Sequence, residues 1–257
     1  MNADWRTRYE LAQDAARQAG EFALSHFDTG LNVEWKPDHT PVTLADRGAE
    51  SLMRSLLLGK FPQDGFLGEE SGDTPGDSGY RWIIDPIDGT RSFVRGVPIW
   101  ATLVGLEYKG ETIAGIAFAP ALKQIYRALR GDGAFRDDRR IHVSRVNRLD
   151  EAHLFYSSIS WFIKAGRQDA FLDLVAKTQR QRGFGDFYGF LLVAQGSGEI
   201  MVEHGVNAWD LCALKPIVEE AGGLMTDWQG KPDIFQPDVL ASNGLLHDVA
   251  LRILAGP

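Results

Sequence analysis

The stretch from Arg81 to Gly105, RWIIDPIDGTRSFVRGVPIWATLVG, is the one around which the rest of the chain is organised. Trp82, Ile83 and Ile84 read as a short buried strand that stops at Asp85. Pro86 has no N–H to give a sheet ladder, so the chain is expected to turn there, with Asp88 just beyond. Gly89 and Thr90 read as the entrance to a short helix or turn whose first backbone N–H groups are free. Two carboxylates at i and i+3, beside a hydroxyl and exposed amides, suit a hard divalent cation and a phosphate. The alternative is a strand end carrying solvated aspartates.

Upstream, Leu11, Ala15, Ala19, Phe22, Ala23 and Phe27 share a face of a helix expected over Asp4 to Phe27. Val33 to Lys36 alternates like a strand and Pro37 to Pro41 is a turn. Thr43 can cap a second helix with Asp46 in its first turn, where a carboxylate also favours the helix dipole. Gly65 to Glu70 is a brief strand delivering Glu69 and Glu70, followed by a polar, breaker-rich loop from Ser71 to Gly79. Because adjacent strand residues face opposite ways, at most one of the two glutamates readily enters a site, and a solvated pair is the plain alternative.

Downstream, strands are expected over Thr102 to Glu107, Thr112 to Ala117 and Gln124 to Leu129, with strand and turn continuing over Ala134 to Val143. Ala152 to Ser158, a glycine-rich Arg182 to Asp186, Ile200 to Glu203, Leu224 to Asp227 and Val239 to Ser242 read as further strands. Helices are expected over Arg167 to Arg180, Phe187 to Gly196, Trp209 to Ala221 and Leu245 to Leu254, with Gly222-Gly223 closing the third. Hairpin pairs early and strand–helix alternation late point to a layered α/β fold. No linker or repeat interrupts it, so one domain is expected, with two lobes of about 1–145 and 146–257.

A chain of 257 residues can bury a sizeable core, and a net charge of −8 with no basic run argues against binding nucleic acid. An acidic protein that handles a phosphate ester must offset its own repulsion, and bound cations are the natural means. The single cysteine, Cys212, allows no disulfide framework or zinc cluster. The N-terminus lacks an apolar signal core and no run is long enough to span a membrane, so a cytoplasmic enzyme is the expectation. Carboxylates without Cys or His partners suit Mg²⁺ or Mn²⁺ better than zinc. No GxSxG elbow, HExxH or phosphate-binding GxxxxGK[ST] loop is present. The D-x-D-x-T pattern of aspartyl-phosphate phosphatases fails on spacing, since Asp85 and Asp88 are three apart.

Three segments, GEES at 68–71, WIIDPIDGT at 82–90 and NAWD at 207–210, resemble the three signatures of the inositol monophosphatase family. VTLAD at 42–46 and EEAGG at 219–223 fit the same family, in order across nearly the whole chain. The resemblance implies an α/β/α/β/α sandwich, assembled as a homodimer, that hydrolyses small phosphate esters with Mg²⁺. Carried over residue by residue, it implies that Glu69, Asp85 and the Ile87 carbonyl hold one Mg²⁺. Asp85, Asp88 and Asp210 hold a second, and Glu69 helps position a third. It also implies that Thr90, oriented by Asp46, helps activate water, while Asp88 and the amides of Gly89 and Thr90 seat the phosphate.

The continuation RSFVRGVPIWATLVGL, with MTDWQG at 225–230 and GDFYGF at 185–190, is more similar to the histidinol-phosphate phosphatase branch than to the inositol branch. That implies L-histidinol phosphate as substrate and a late step of histidine synthesis. Inositol 1-phosphate or a broader range of sugar phosphates is the alternative. Glu203 matches the family's contact to the rest of the substrate, where a carboxylate suits an ammonium or imidazolium as well as hydroxyls. A solvated strand end is the alternative for Glu203. Asp186 and Arg95 are further candidates, Arg95 with an ordinary surface role as its alternative. A non-catalytic metal- or phosphate-binding regulator is the reading from another class. Its mark is a lost ligand, and every expected ligand position is filled.

Overall fold

A computed structural model describes residues 2–30, 33–35 and 41–255. Helix α1 (Ala3–Leu24) starts at Asn2, whose side chain accepts the Asp4 N–H. Its buried face is a stripe of small residues, Ala12, Ala15, Ala16, Ala19 and Ala23, which lets it lie close on a sheet. Phe22, expected on that face, is 36% exposed and covers Gly48 of the next helix instead. Strands β1 (Glu34–Trp35) and β2 (Pro41–Val42) pair antiparallel. The turn expected between them lies, apart from Pro41, outside the described residues. Helix α2 (Leu44–Lys60) follows, capped by Thr43 as its sequence suggests.

Next come β3 (Gly65–Gly68), β4 (Gly72–Thr74), β5 (Tyr80–Asp88) and α3 (Thr90–Phe93). Strands β6 (Ala101–Tyr108), β7 (Glu111–Ala119), β8 (Gln124–Leu129), β9 (Gly133–Arg136) and β10 (Arg139–Arg140) complete an eight-stranded sheet. Its order is β10-β9-β8-β7-β6-β5-β3-β4, antiparallel except where β3 runs parallel to β5. The expected polar loop over Ser71 to Gly79 thus contains a strand, β4, on the sheet edge.

The remainder is β11 (His153–Tyr156), α4 (Ile159–Lys164), α5 (Gln168–Lys177), β12 (Arg180–Arg182), α6 (Asp186–Ala194) and β13 (Ile200–His204), then α7 (Ala208–Leu211), α8 (Leu214–Glu220), β14 (Leu224–Thr226), β15 (Asp238–Ser242) and α9 (His247–Ala255). These strands form a five-stranded mixed sheet, ordered β12-β11-β13-β15-β14. The layers run α1 and α2, the large sheet, α6 to α8, the small sheet, then α4, α5 and α9. This is the expected α/β/α/β/α sandwich.

Two departures from the expected elements have clear causes. The strand expected over Arg182 to Asp186 ends at Arg182, and Asp186 instead opens α6 with φ +53°. The single helix expected over Trp209 to Ala221 is broken at Cys212 and Ala213. Pro216 has no N–H for the Cys212 carbonyl one turn back. The break also presses backbone onto the large sheet: a Cβ at Gly115 would lie 1.9 Å from the Ala213 carbonyl oxygen, and one at Gly105 would lie 2.4 Å from the Cys212 sulfur. Only glycine allows that approach.

Candidate metal and phosphate site

Strand β5 does not end at Asp85. It continues to Asp88 through a bulge, since Asp85 pairs with Leu103 and Asp88 with Ala101 of β6. The turn expected at Pro86 is this bulge, one of the few places inside a sheet that tolerates proline. It also solves a geometrical problem. Residues three apart on a regular strand face opposite sides, and one extra residue returns the second to the same side. Asp85 and Asp88 are therefore neighbours in space. Asp210, in the first turn of α7, joins them, and ligand oxygens of the three lie within 4.8 Å of one another.

Each carboxylate is tied down by backbone. Asp85 Oδ1 accepts the Ile87 N–H at 2.9 Å, and Asp88 Oδ2 accepts the Phe187 N–H at 2.6 Å. Asp210 Oδ2 accepts the Asn207 N–H at 2.7 Å, reciprocated by the Asn207 side chain in a capping box. Burial drives the Asp85 carboxyl well above the usual range, followed by the charges of Glu69, Asp88 and Asp210. Asp88 is raised in the same way by burial, then by Asp186 and Asp210. Asp210 is pushed up to about 7 by burial, opposed by the Asn207 N–H and raised further by Glu69 and Asp186. Carboxylates crowded this closely in a buried pocket repel one another, and a divalent cation is the group that relieves them.

The cavity they open into measures about 520 Å³. Glu69, just past β3, lines it, as do Ile87, Gly89 and Thr90. Gly89 sits at φ +85°, so the chain can swing from β5 into α3 and present the first amides of that helix. Asp46 is fully buried. Its Oδ2 accepts from the Thr43 N–H at 2.7 Å and the Thr43 hydroxyl at 2.6 Å, while Oδ1 has no partner. Burial raises its carboxyl to about 6. The expected Thr90–Asp46 contact is not formed. The Thr90 hydroxyl donates instead to the Ile87 carbonyl at 2.9 Å, one of the oxygens expected on a metal.

Glu203 and Asp186 also line the cavity, and Asp186 lies close to the turn at Gly89, where a Cβ would stand 3.3 Å from its Oδ2. Glu203 is 7% exposed, and its Oε2 has no hydrogen-bond partner. Burial raises it well above the usual range, with the charge of Asp186 adding to the effect. Burial also raises Asp186, against the pull of the Arg91 guanidinium. Arg95, expected at this opening, is exposed and does not line the cavity; Arg91 does. The reason is the turn of α3, which aims its first residues at the cavity and has ended before Arg95.

Several residues that line the cavity are not singled out by the sequence, among them Arg91, Ser157, Trp161 and Lys164. The last two come from α4, six residues long and too short to show a helical period. Trp161 packs against Gly205, and the Lys164 Nζ lies 4.3 Å from its ring centroid. The only available signal was Ser158 ahead of a short apolar run, which is weak.

Residues 4–255 match the profile of the inositol monophosphatase family. The chain belongs to that family. Among its relatives, the histidinol-phosphatase of Mycobacterium tuberculosis is 43% identical over 253 residues, spanning 96% of this chain and 97% of that protein. The histidinol-phosphatase of Streptomyces coelicolor is 42% identical, spanning 98% and 96%. Among solved structures, the extragenic suppressor protein suhB of Bartonella henselae superposes with a TM-score of 0.90 at 32% identity, covering 96% of this chain and 98% of that one. Inositol monophosphatase family members of this kind are phosphoric monoester hydrolases, and so is this chain. The family is metal-dependent, and the Asp85, Asp88 and Asp210 cluster can hold a metal.

Proposed function

We propose that the protein is a Mg²⁺-dependent phosphatase that converts L-histidinol phosphate to L-histidinol and phosphate. The observation that carries this reading is the meeting of Asp85, Asp88 and Asp210 within 4.8 Å beside the amides of Gly89 and Thr90. An all-oxygen donor set with no thiolate or imidazole fits a hard cation, with Mn²⁺ as a substitute. Glu69, Asp85 and the Ile87 carbonyl would hold one Mg²⁺, and Asp85, Asp88 and Asp210 a second, with Glu69 helping to position a third. Bound there, the ions would neutralise phosphate oxygens, acidify water and stabilise the leaving alkoxide.

The chain's own groups supply the rest. The amides of Gly89 and Thr90, with Asp88 beside them, seat the phosphate. In this reading the Thr90 hydroxyl turns from the Ile87 carbonyl toward the attacking water. As it takes up that water's proton it passes its own to Asp46, whose Oδ1 has no partner. Beside the phosphate seat, Glu203 and Asp186 accept from the ammonium or imidazolium of the alcohol. The names of the relatives at 42–43% identity support the same substrate.

Inositol 1-phosphate is the second reading. Glu203 and Asp186 accept hydroxyl hydrogen bonds equally well, and a relative from Mesorhizobium japonicum named inositol-1-monophosphatase is 33% identical. We also read the protein as a cytoplasmic homodimer. The test is Mg²⁺-dependent phosphate release from histidinol phosphate, inositol 1-phosphate and adenosine 3′,5′-bisphosphate in parallel. Preference for the first is expected. Preference for either of the others overturns the substrate and leaves the reaction class.

A further inference from the structure

Glu50 lies one helical turn after Asp46 on α2 and is only 2% exposed. Among the described residues it forms no ion pair. Its two oxygens are divided between two backbone donors: Oε2 accepts the Glu70 N–H at 2.8 Å and Oε1 the Ser71 N–H at 2.7 Å. These are the two residues that follow Glu69. The Glu69 N–H itself donates to the Ile84 carbonyl of β5 at 3.2 Å. Glu69 is thus held from behind by the sheet and from ahead by Glu50.

The residue before it completes the arrangement. A Cβ at Gly68 would stand 2.5 Å from the Glu50 carboxylate, so the strand passes this side chain as closely as glycine permits. Burying a carboxylate without a counter-charge is costly, and the two charge-assisted hydrogen bonds offset that cost only while the Glu69–Ser71 turn keeps this shape. Joining α2 to the β3–β4 hairpin does not require a charge, since an apolar contact would serve. A charge whose every acceptor contact falls on the turn beyond Glu69 fixes that turn in one conformation.

We propose that Glu50 is a positioning residue for the metal centre. It clamps the turn so that Glu69 is presented to the cavity shared with Asp85, Asp88 and Asp210 before a cation arrives. The proposal rests on the metal reading of the site. Groups that orient ligands in this way typically change metal affinity about 10- to 100-fold when altered.

Calorimetric titration of Mg²⁺ into substrate-free, chelator-treated full-length protein tests the clamp without reference to turnover. Glu50→Gln keeps the side-chain volume but turns an amide NH₂ toward one of the two N–H donors. Its Mg²⁺ dissociation constant should rise about 10-fold or more. The Mg²⁺ concentration for half-maximal phosphate release should rise in parallel. Met53→Ala, a fully buried position on the same helix, is the structural control, expected to lower Tm and leave the dissociation constant unchanged. Gly68→Ala pushes the same carboxylate from the strand side and should weaken Mg²⁺ in the same direction, which covers the case in which Glu50→Gln does not fold. An unchanged dissociation constant in folded Glu50→Gln overturns the proposal, as does equal weakening in Met53→Ala. If the unaltered protein binds no Mg²⁺, the metal reading itself fails and the clamp with it.

Discussion

Asp88 is gripped from two distant parts of the chain, by its place on β5 and by the Phe187 N–H 99 residues further on. Asn at this position keeps an acceptor for that N–H while losing the charge a cation needs. Asp88→Asn is therefore expected to fold with near-normal far-UV circular dichroism and to lose at least about 100-fold in Mg²⁺-dependent phosphate release. Glu69→Gln should behave alike, and unchanged turnover in both would remove the metal assignment. Glu203 makes a finer test. It is buried in the cavity wall with one oxygen unpartnered, so Glu203→Gln should raise KM for histidinol phosphate about 10-fold or more by removing the charge that an ammonium pairs with. The KM for inositol 1-phosphate should change less, since an amide oxygen still accepts a hydroxyl hydrogen bond. Equal effects on the two substrates would mean that the carboxylate contributes hydrogen bonding and no recognition of charge.

Elements matter here chiefly through how they are pinned. The bulge in β5 turns a sequence interval that should separate two aspartates into one that joins them, and Pro86 sits where its missing N–H costs nothing. The first turns of α1 are fastened by Arg8, which donates to Asp64 Oδ2 and Oδ1 at 2.8 and 2.9 Å. Its guanidinium also lies 3.7 Å from the Tyr80 ring centroid and 4.0 Å from that of Phe61. Asp64 is the residue just before β3, so this pair registers α1 against the strand that leads to Glu69. Among the described residues, removing Arg8 leaves the buried Asp64 charge with only the Ser78 hydroxyl, at 2.7 Å, to offset it. Arg8→Ala should lower stability by about 3–5 kcal/mol in urea unfolding. The double change Arg8→Met with Asp64→Leu should recover most of that loss, and failure to do so would show that the rings and not the ion pair dominate.

On the scale of the whole molecule, the site closes where the large sheet, α2 and the helices between the sheets converge, and its charge is therefore a property of the fold. With its carboxyl raised to about 7 from an ordinary 3.8, Asp210 holds a proton in the folded, metal-free protein that the unfolded chain has already released. Between those values the native state binds more protons, so this group lowers stability as pH rises toward 7. A cation needs the deprotonated form and gains as pH rises through the same range. The increase in Tm on adding Mg²⁺ to chelator-treated protein is accordingly expected to be larger at about pH 8 than at about pH 6. An increase independent of pH would mean that Asp210 is ionised throughout and is not coupled to the metal.

Much of this was legible in the residues alone. The amphipathic period of α1 and α2, the Thr43 cap and the hairpin strands are local properties, written in spacings of two to four residues. Asp85, Asp88 and Asp210 were recognisable as a candidate set because carboxylates at strand ends and helix starts are chemically conspicuous, and they do lie together. Other features depend on contacts between residues far apart in the chain, and no local pattern carries those. That Pro86 stays within the sheet is decided by pairing with β6. That Arg91 and not Arg95 faces the cavity is decided by where α3 begins and ends. Thr90 turns to the Ile87 carbonyl because of how β5 runs into α3, and Glu50 reaches two amides 20 and 21 residues away because α2 packs beside the β3–β4 turn. The sequence by itself determined the family, the layer order and the acidic ligand types. Only the tertiary structure decided which atoms meet, because burial and hydrogen bonding across the layers set each carboxylate's direction and charge.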